Sequence, residues 1–113
     1  MITDFESKMR KAVGDIETYG KEYAVKKAVS WQLQEMRKVV LAEMIRAQNP
    51  TLSYADRETF ARCSPEYKTH LEGTKEAIQN ELTAKAMVEK SQAAYECLRS
   101  LCSLYNAQSR IGE

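Results

Sequence analysis

The residues best suited to a chemical task in this chain are its single tryptophan, Trp31, and two lysines on the same side of the predicted helix. Lys27 lies one turn before Trp31, and Lys38 lies two turns after it. Lysines neutralise phosphates and an indole ring stacks on an unpaired base for about 1 to 3 kcal/mol, so this arrangement suits single-stranded nucleic acid. The competing interpretation is that Trp31 packs at a subunit interface and the lysines form its solvated rim.

A second group of cations, Arg57, Arg62 and Lys68, falls around a predicted bend between two long helices. In an oligomer of such chains the bend would be repeated at one end, and a few cations per chain would form a basic collar. The competing interpretation is that these cations pair with the acidic residues around them and only hold the bend together. With Lys27, Trp31 and Lys38, they make up the predicted nucleic-acid-binding set.

Other kinds of chemistry are poorly represented. His70, the only histidine, has no acid or nucleophile at a catalytic spacing, and the three cysteines contain no CxxC pair. The sequence has no glycine-rich phosphate loop. With 17 basic and 16 acidic residues, the net charge is +1, which does not indicate a general affinity for nucleic acid or membranes. We therefore expect no enzyme activity, no metal and no cofactor, and we expect a reducing cytoplasmic location.

Two prolines, Pro50 and Pro65, define the elements that must position these residues, because proline cannot continue a helix that precedes it. The sequence predicts an all-α hairpin of two long helices, about 4–47 and 65–111, joined by a short helix at about 54–62. Ser53 and Ser64 are the predicted N-caps of the second and third helices, and Thr3 and Gly112 are predicted caps of the outer ends. The whole chain, 1–113, is predicted to be one coiled-coil-like domain.

The apolar residues of the first helix alternate steps of three and four, which is typical of a coiled coil. This spacing includes Phe5, Met9, Ala12, Ile16, Tyr19 and Tyr23, and it then changes phase to Val25, Val29, Leu33, Met36, Val40 and Met44. Trp31 lies on the opposite side of the helix from this second set. A helix with apolar residues on two sides has more to bury than one hairpin partner can cover, so we expect a homo-oligomer.

The order of features resembles that of small phage proteins of the UvsY-like recombination mediator family. A tryptophan-bearing first helix is followed by a segment with arginines, and Glu66-Tyr67-Lys68-Thr69-His70-Leu71 then opens a long final helix. The resemblance implies an oligomer of helical hairpins that binds single-stranded DNA, remodels single-strand-binding protein and loads a recombinase. It matches Arg57 to a basic DNA-contacting position, with Ala55 standing where the family has a second basic residue.

The function predicted from the sequence is therefore that of a phage-type recombination accessory protein, which binds single-stranded DNA, loads a recombinase, or does both. The expected partners are further copies of the chain, single-stranded DNA, and a recombinase or single-strand-binding protein, with no membrane. The alternative is a coiled-coil adaptor or inhibitor module that docks on another protein and binds no nucleic acid.

Overall fold

The computed structural model describes residues 2–111, which form three helices: α1 (Ile2–Arg46), α2 (Tyr54–Arg62) and α3 (Pro65–Ile111). The predicted fold class is confirmed: two long helices are joined by a short one in an all-helical hairpin. The side chain of Thr3 and residue Gly112, which the sequence predicts as caps, lie outside the described part of the chain.

Short polar side chains fix the connections between the helices. The Asn49 side chain accepts hydrogen bonds from the Thr51 amide and hydroxyl, at 3.0 and 2.9 Å. Ser53 caps α2 by accepting from the Asp56 amide at 3.2 Å. Ser64 accepts from the Tyr67 amide at 3.2 Å and starts α3. Both predicted serine caps are thus confirmed, and each supplies an acceptor for a backbone N–H that has no partner within its helix.

The chain divides into two compact units, and each contains part of α1 and part of α3. In the unit Val25–Glu81, the His70 ring nitrogen Nε2 lies 3.0 Å from the Leu33 carbonyl oxygen. Farther along α3, Ala77 shares a groove with Val25 of α1. Because α3 advances while α1 recedes, the two helices are antiparallel in this unit. Tyr67 and Ala61 are buried where α2 meets the start of α3.

The other unit combines α1 up to Ala24 with α3 from Leu82. Its two helices are joined at one end by the Phe5 and Tyr105 rings, whose centroids lie 6.1 Å apart at an interplanar angle of 50°. Small residues are buried elsewhere in this unit, namely Ala12, Ala84 and Ser91. Small side chains at such positions allow two helix backbones to approach closely.

Burial along each long helix follows a heptad spacing of alternating three- and four-residue steps. On α1 the buried or half-buried positions with this spacing are Phe5, Met9, Ala12, Ile16, Tyr19, Tyr23, Lys26, Ser30 and Leu33. On α3 they are Tyr67, His70, Thr74, Ala77, Glu81, Ala84, Val88, Ser91, Tyr95, Leu98, Cys102 and Tyr105. Alanine, serine and threonine supply most of the fully buried members.

The phase change predicted after Tyr23 is wrong for Val25, Val29 and Met36, whereas the other residues predicted with them, Leu33, Val40 and Met44, are half-buried. The heptad spacing continues through Lys26 and Ser30, and Val25, Val29 and Met36 remain 61%, 45% and 42% exposed. Several large apolar residues of α3 are also exposed, namely Leu71, Leu82 and Leu101. Small residues, namely Ser30, Thr74 and Ala77, are buried in this part of the helix pair, and the large side chains of Val25, Val29 and Met36 lie on another face of α1.

Two glycines in α1 allow a test of the helix itself. A Cβ added at Gly14 or Gly20 would meet no heavy atom within 4 Å. We therefore expect Gly14→Ala and Gly20→Ala each to raise the free energy of unfolding by up to about 1 kcal/mol, because alanine loses less backbone entropy on forming a helix. Thermal denaturation followed by circular dichroism measures this. A loss of stability at either site would instead indicate that another backbone packs against that glycine.

Candidate nucleic-acid interface

In the unit Val25–Glu81, the polar surface suited to a ligand lies on one side of the α1/α3 pair. Two grooves open there. The first has a volume of 490 Å³, and its lining includes Lys38 of α1 and Lys75 of α3. The second has a volume of 400 Å³, and its lining includes Lys38, Arg46 and Arg57. Lys38 of α1 therefore lines both grooves, the first together with residues of α3 and the second together with residues of α2.

Lys27, Trp31 and Lys38 share one face of α1, since their spacings of four and seven residues return to nearly the same angle. Trp31 is 64% exposed. The positions that repeat along this face at steps of three and four residues are Ala24, Lys27, Trp31, Gln34, Lys38, Leu41 and Ile45. Glu35 lies beside this row, four residues after Trp31 and three before Lys38.

The start of α3 presents a matching face on the same side. Lys68 and Lys75 are seven residues apart, and Leu71 and Ile78 lie between and beside them at helical spacing. Leu71, Lys75 and Ile78 line the first groove. Glu72 lies beside this face, four residues after Lys68 and three before Lys75. One acid therefore adjoins the cations on each helix, Glu35 on α1 and Glu72 on α3.

Arg57 is the member of α2 that joins this surface. It lines the second groove together with Lys38. Its guanidinium carbon lies 6.0 Å from the centroid of the Tyr54 ring, within range of a cation–π contact. Its Nε atom is buried without a hydrogen-bond partner among the described residues. Arg57 is half-buried, and its contact with Tyr54 holds its guanidinium group beside the second groove.

Arg62 behaves differently from Arg57. Its Nη2 atom donates to Oε1 of Glu58 at 2.8 Å, and this hydrogen bond raises the pKa of Arg62 above its usual value. Glu58 lines the second groove, and Glu35 lines the first. The pair with Arg62 partly offsets the negative charge of Glu58 at the groove. Arg62 therefore supports the surface indirectly, and it does not line either groove.

Of the predicted set, Lys38 and Arg57 line one groove together, and helical spacing places Lys27 and Trp31 on the same face of α1 as Lys38. We define the cationic face as Lys27, Trp31, Lys38, Arg57, Lys68 and Lys75. Lys75 was not predicted from the sequence, although its seven-residue spacing from Lys68 was a usable signal. Arg46 and Tyr54, which line the second groove, were not predicted either. No sequence signal indicated them, because their place there depends on how α2 packs against α1.

The described residues, 2–111, lack the features of a metal site and of a membrane-spanning helix. Among these residues, no group of three or more His, Cys, Asp or Glu side chains is arranged to hold a metal ion. No helix in the same range combines the length and apolar character needed to cross a bilayer.

Comparison with known proteins gives no relative from which a function could be inferred: no family model, curated protein or solved structure matches the chain. The site must therefore be interpreted from its own residues.

Proposed function

We propose that this protein binds single-stranded DNA through the cationic face and acts as an accessory factor in recombination, by loading a recombinase or assisting its access to DNA. The observation that carries the DNA-binding part is the exposed tryptophan Trp31, which shares a face of α1 with Lys27 and Lys38. Lys38 lines one groove with Lys75 of α3 and another with Arg46 and Arg57. One acid lines each groove, Glu35 in the first and Glu58 in the second, and Glu58 is paired with Arg62.

The exposed indole of Trp31 favours a single strand over a duplex. In single-stranded nucleic acid the bases are free to stack on an aromatic side chain, whereas in a duplex they are already stacked on each other. Lys27 and Lys38 lie on either side of Trp31 along the helix and are placed to neutralise phosphates of a strand that follows α1. The role in recombination rests on the resemblance to mediator proteins and not on the geometry of the face.

The second candidate is a protein-docking module without affinity for nucleic acid. The exposed valines and methionine of α1, on the side away from Trp31, favour this function. The two candidate functions predict different effects of salt on binding affinity. Phosphate contacts release counterions and weaken as salt rises, whereas docking through apolar side chains changes little.

Titration of the protein with an unlabelled single-stranded oligonucleotide tests the proposal, because Trp31 is the only tryptophan and reports directly on the cationic face. We expect the fluorescence of Trp31 to be quenched. We also expect the logarithm of the binding constant to fall with the logarithm of the salt concentration with a slope of about −3, if most of the five cations contact phosphates. Absence of binding at low salt would leave the docking module as the better candidate.

A role in recombination would place the protein in the cytoplasm, where reducing conditions keep thiols free. Cys63, Cys97 and Cys102 are all free thiols in the structure. The proposal assigns them no part in DNA binding, and we expect oligonucleotide affinity to be the same with and without a reducing agent.

A further inference from the structure

We propose that a second copy of this chain binds along an apolar strip on α1, with the two α1 helices antiparallel and Gln32 at the two-fold axis. The apolar strip consists of Val25, Val29, Gln32, Met36 and Val39. This inference does not depend on DNA binding, because the strip and the cationic face lie on different sides of α1.

The strip is exposed, continuous and uncharged. Val25 is 61% exposed, Val29 45%, Met36 42% and Val39 54%. The five positions alternate steps of four and three residues, so they repeat on a second face of α1 the spacing by which α1 packs on α3. The strip is about 21 Å long at about 1.5 Å per residue. Solvated helix faces normally carry charges, and this one carries none.

The helix α3 of the same chain does not cover the strip. The buried Ser30 and the half-buried Leu33 mark the side of α1 that packs on α3. At the edge between the two helices a groove of 230 Å³ is lined by Val25 and Val29 of α1 and by Gly73 of α3. A Cβ added at Gly73 would meet no heavy atom within 4 Å. Lys26 of α1 and Glu76 of α3 also line this groove. The missing side chain at Gly73 leaves room there for another helix to approach α1.

The order of residues in the strip points to a second copy as the occupant. Val25 and Val39 are seven residues before and after Gln32, and Val29 and Met36 are three before and four after it. Antiparallel pairing about Gln32 sets each apolar residue against an apolar residue of the second copy. The two Gln32 amides meet at the axis, where each can donate to the other. A two-fold interface requires this kind of self-complementary surface.

Charged residues beyond the strip favour the antiparallel orientation over the parallel one. Glu43 and Arg46 follow Val39 on the same face of α1. A parallel pair would set each of them against its own copy and would place like charges together. In the antiparallel pair the two copies of these residues lie at opposite ends of the interface.

The chain has ample surface to bury in such an interface. It exposes 8570 Å², whereas a compact monomer of 12.9 kDa is expected to expose about 6300 Å². A stable interface of standard size buries about 800 Å² on each partner. The surplus exceeds that amount, and the strip supplies the uncharged apolar centre that such interfaces have.

Sedimentation velocity of Val29→Glu over a range of concentrations tests the interface. The dimer would bury two such glutamates, one from each chain, without a partner for their charge. We therefore expect at least 100-fold weaker association, with unchanged helix content by circular dichroism. Val13→Glu is the matched control, because Val13 is an equally exposed α1 valine, at 51%, outside the strip. An unchanged mass for Val29→Glu, or equal dissociation of Val13→Glu, would overturn the proposal, as would a wild-type chain that stays monomeric.

The orientation is tested by cross-linking in a variant whose three native cysteines are replaced by serine. Gln32→Cys in this background should form a disulfide-linked dimer under mild oxidation, because the two residues meet at the axis. Val25→Cys alone should not, whereas a mixture of Val25→Cys and Val39→Cys chains should. Efficient cross-linking of Val25→Cys to itself would contradict the antiparallel arrangement. Failure of oligonucleotide binding would leave all of these results unaffected.

Discussion

A chain that carries Trp31→Ala, Lys27→Ala and Lys38→Ala together is expected to lose measurable binding to single-stranded oligonucleotides and to keep its helix content. All three side chains lie on the exposed face of α1, and none of them is among the buried residues of the unit Val25–Glu81. The loss combines a stacking contribution from the indole with the phosphate contacts of two lysines, and both are absent in the variant.

Partial variants separate the two contributions by different measurements. Trp31→Ala alone should weaken binding about 5- to 150-fold, which corresponds to about 1 to 3 kcal/mol for one stacked base. The salt dependence should stay the same, because no charge is removed. Lys27→Ala with Lys38→Ala should instead reduce the steepness of the salt dependence by about 1.4, since each phosphate contact contributes about 0.7.

The matched control for the lysine pair is Lys21→Ala with Lys90→Ala, which removes the same charge outside the unit that carries the cationic face. Lys21 pairs with Glu17 on the exposed surface of α1, at 3.2 Å, and such a pair contributes little to stability. If this control weakens binding as much as the Lys27 and Lys38 pair does, the affinity reflects net charge, and the cationic face is not a site.

The helices and their connections could be predicted because the signals for them are local. Pro50 and Pro65 end or begin a helix whatever surrounds them, since the ring removes a backbone donor. Ser53 and Ser64 cap the helices through hydrogen bonds that span three residues. No proline interrupts the long segments on either side, so each forms a single helix. The predicted boundaries of all three helices lie within two residues of those observed.

The choice of the buried face could not be predicted in the same way. In α1 from Val25 onward, two faces have heptad spacing: one carries Lys26, Ser30 and Leu33, and the other carries Val25, Val29 and Met36. Hydrophobicity alone selects the second face, whereas the structure buries the first. The outcome depends on the side chains that α3 presents opposite, such as Thr74 and Ala77, and that information lies about forty residues away in the sequence.

The candidate site likewise has a part that depends on local sequence signals and a part that depends on contacts between helices. The shared face of Lys27, Trp31 and Lys38 follows from helical spacing within α1, so the sequence alone could place these three residues on one face. The convergence of Lys38 with Lys75 and with Arg57 depends on the register between α1 and its neighbours. Register is a non-local property, so the sequence could name Lys38 and Arg57 but could not show that they share a groove or that Lys75 lies opposite Lys38.

The small residues between α1 and α3 lead to the second large expected effect, at Ser30. Its side chain is fully buried, and its hydroxyl accepts a hydrogen bond from the Gln34 amide at 2.9 Å. In a coiled coil, leucine at a buried position of this kind is normally more stabilising than serine. We expect the opposite result: Ser30→Leu should lower the free energy of unfolding by about 1 to 3 kcal/mol, because the added carbons must push α1 away from α3.

Thermal denaturation of Ser30→Leu and Ser30→Ala measures this effect and supplies its control. Alanine fits the same space, and the exposed Gln34 amide can bond to water instead, so Ser30→Ala should change stability by less than about 1 kcal/mol. The comparison separates volume from polarity, since both variants remove the hydroxyl and only leucine adds bulk. A Ser30→Leu chain more stable than the natural one would mean that α1 and α3 pack less closely than the buried serine implies, with room between them for larger side chains.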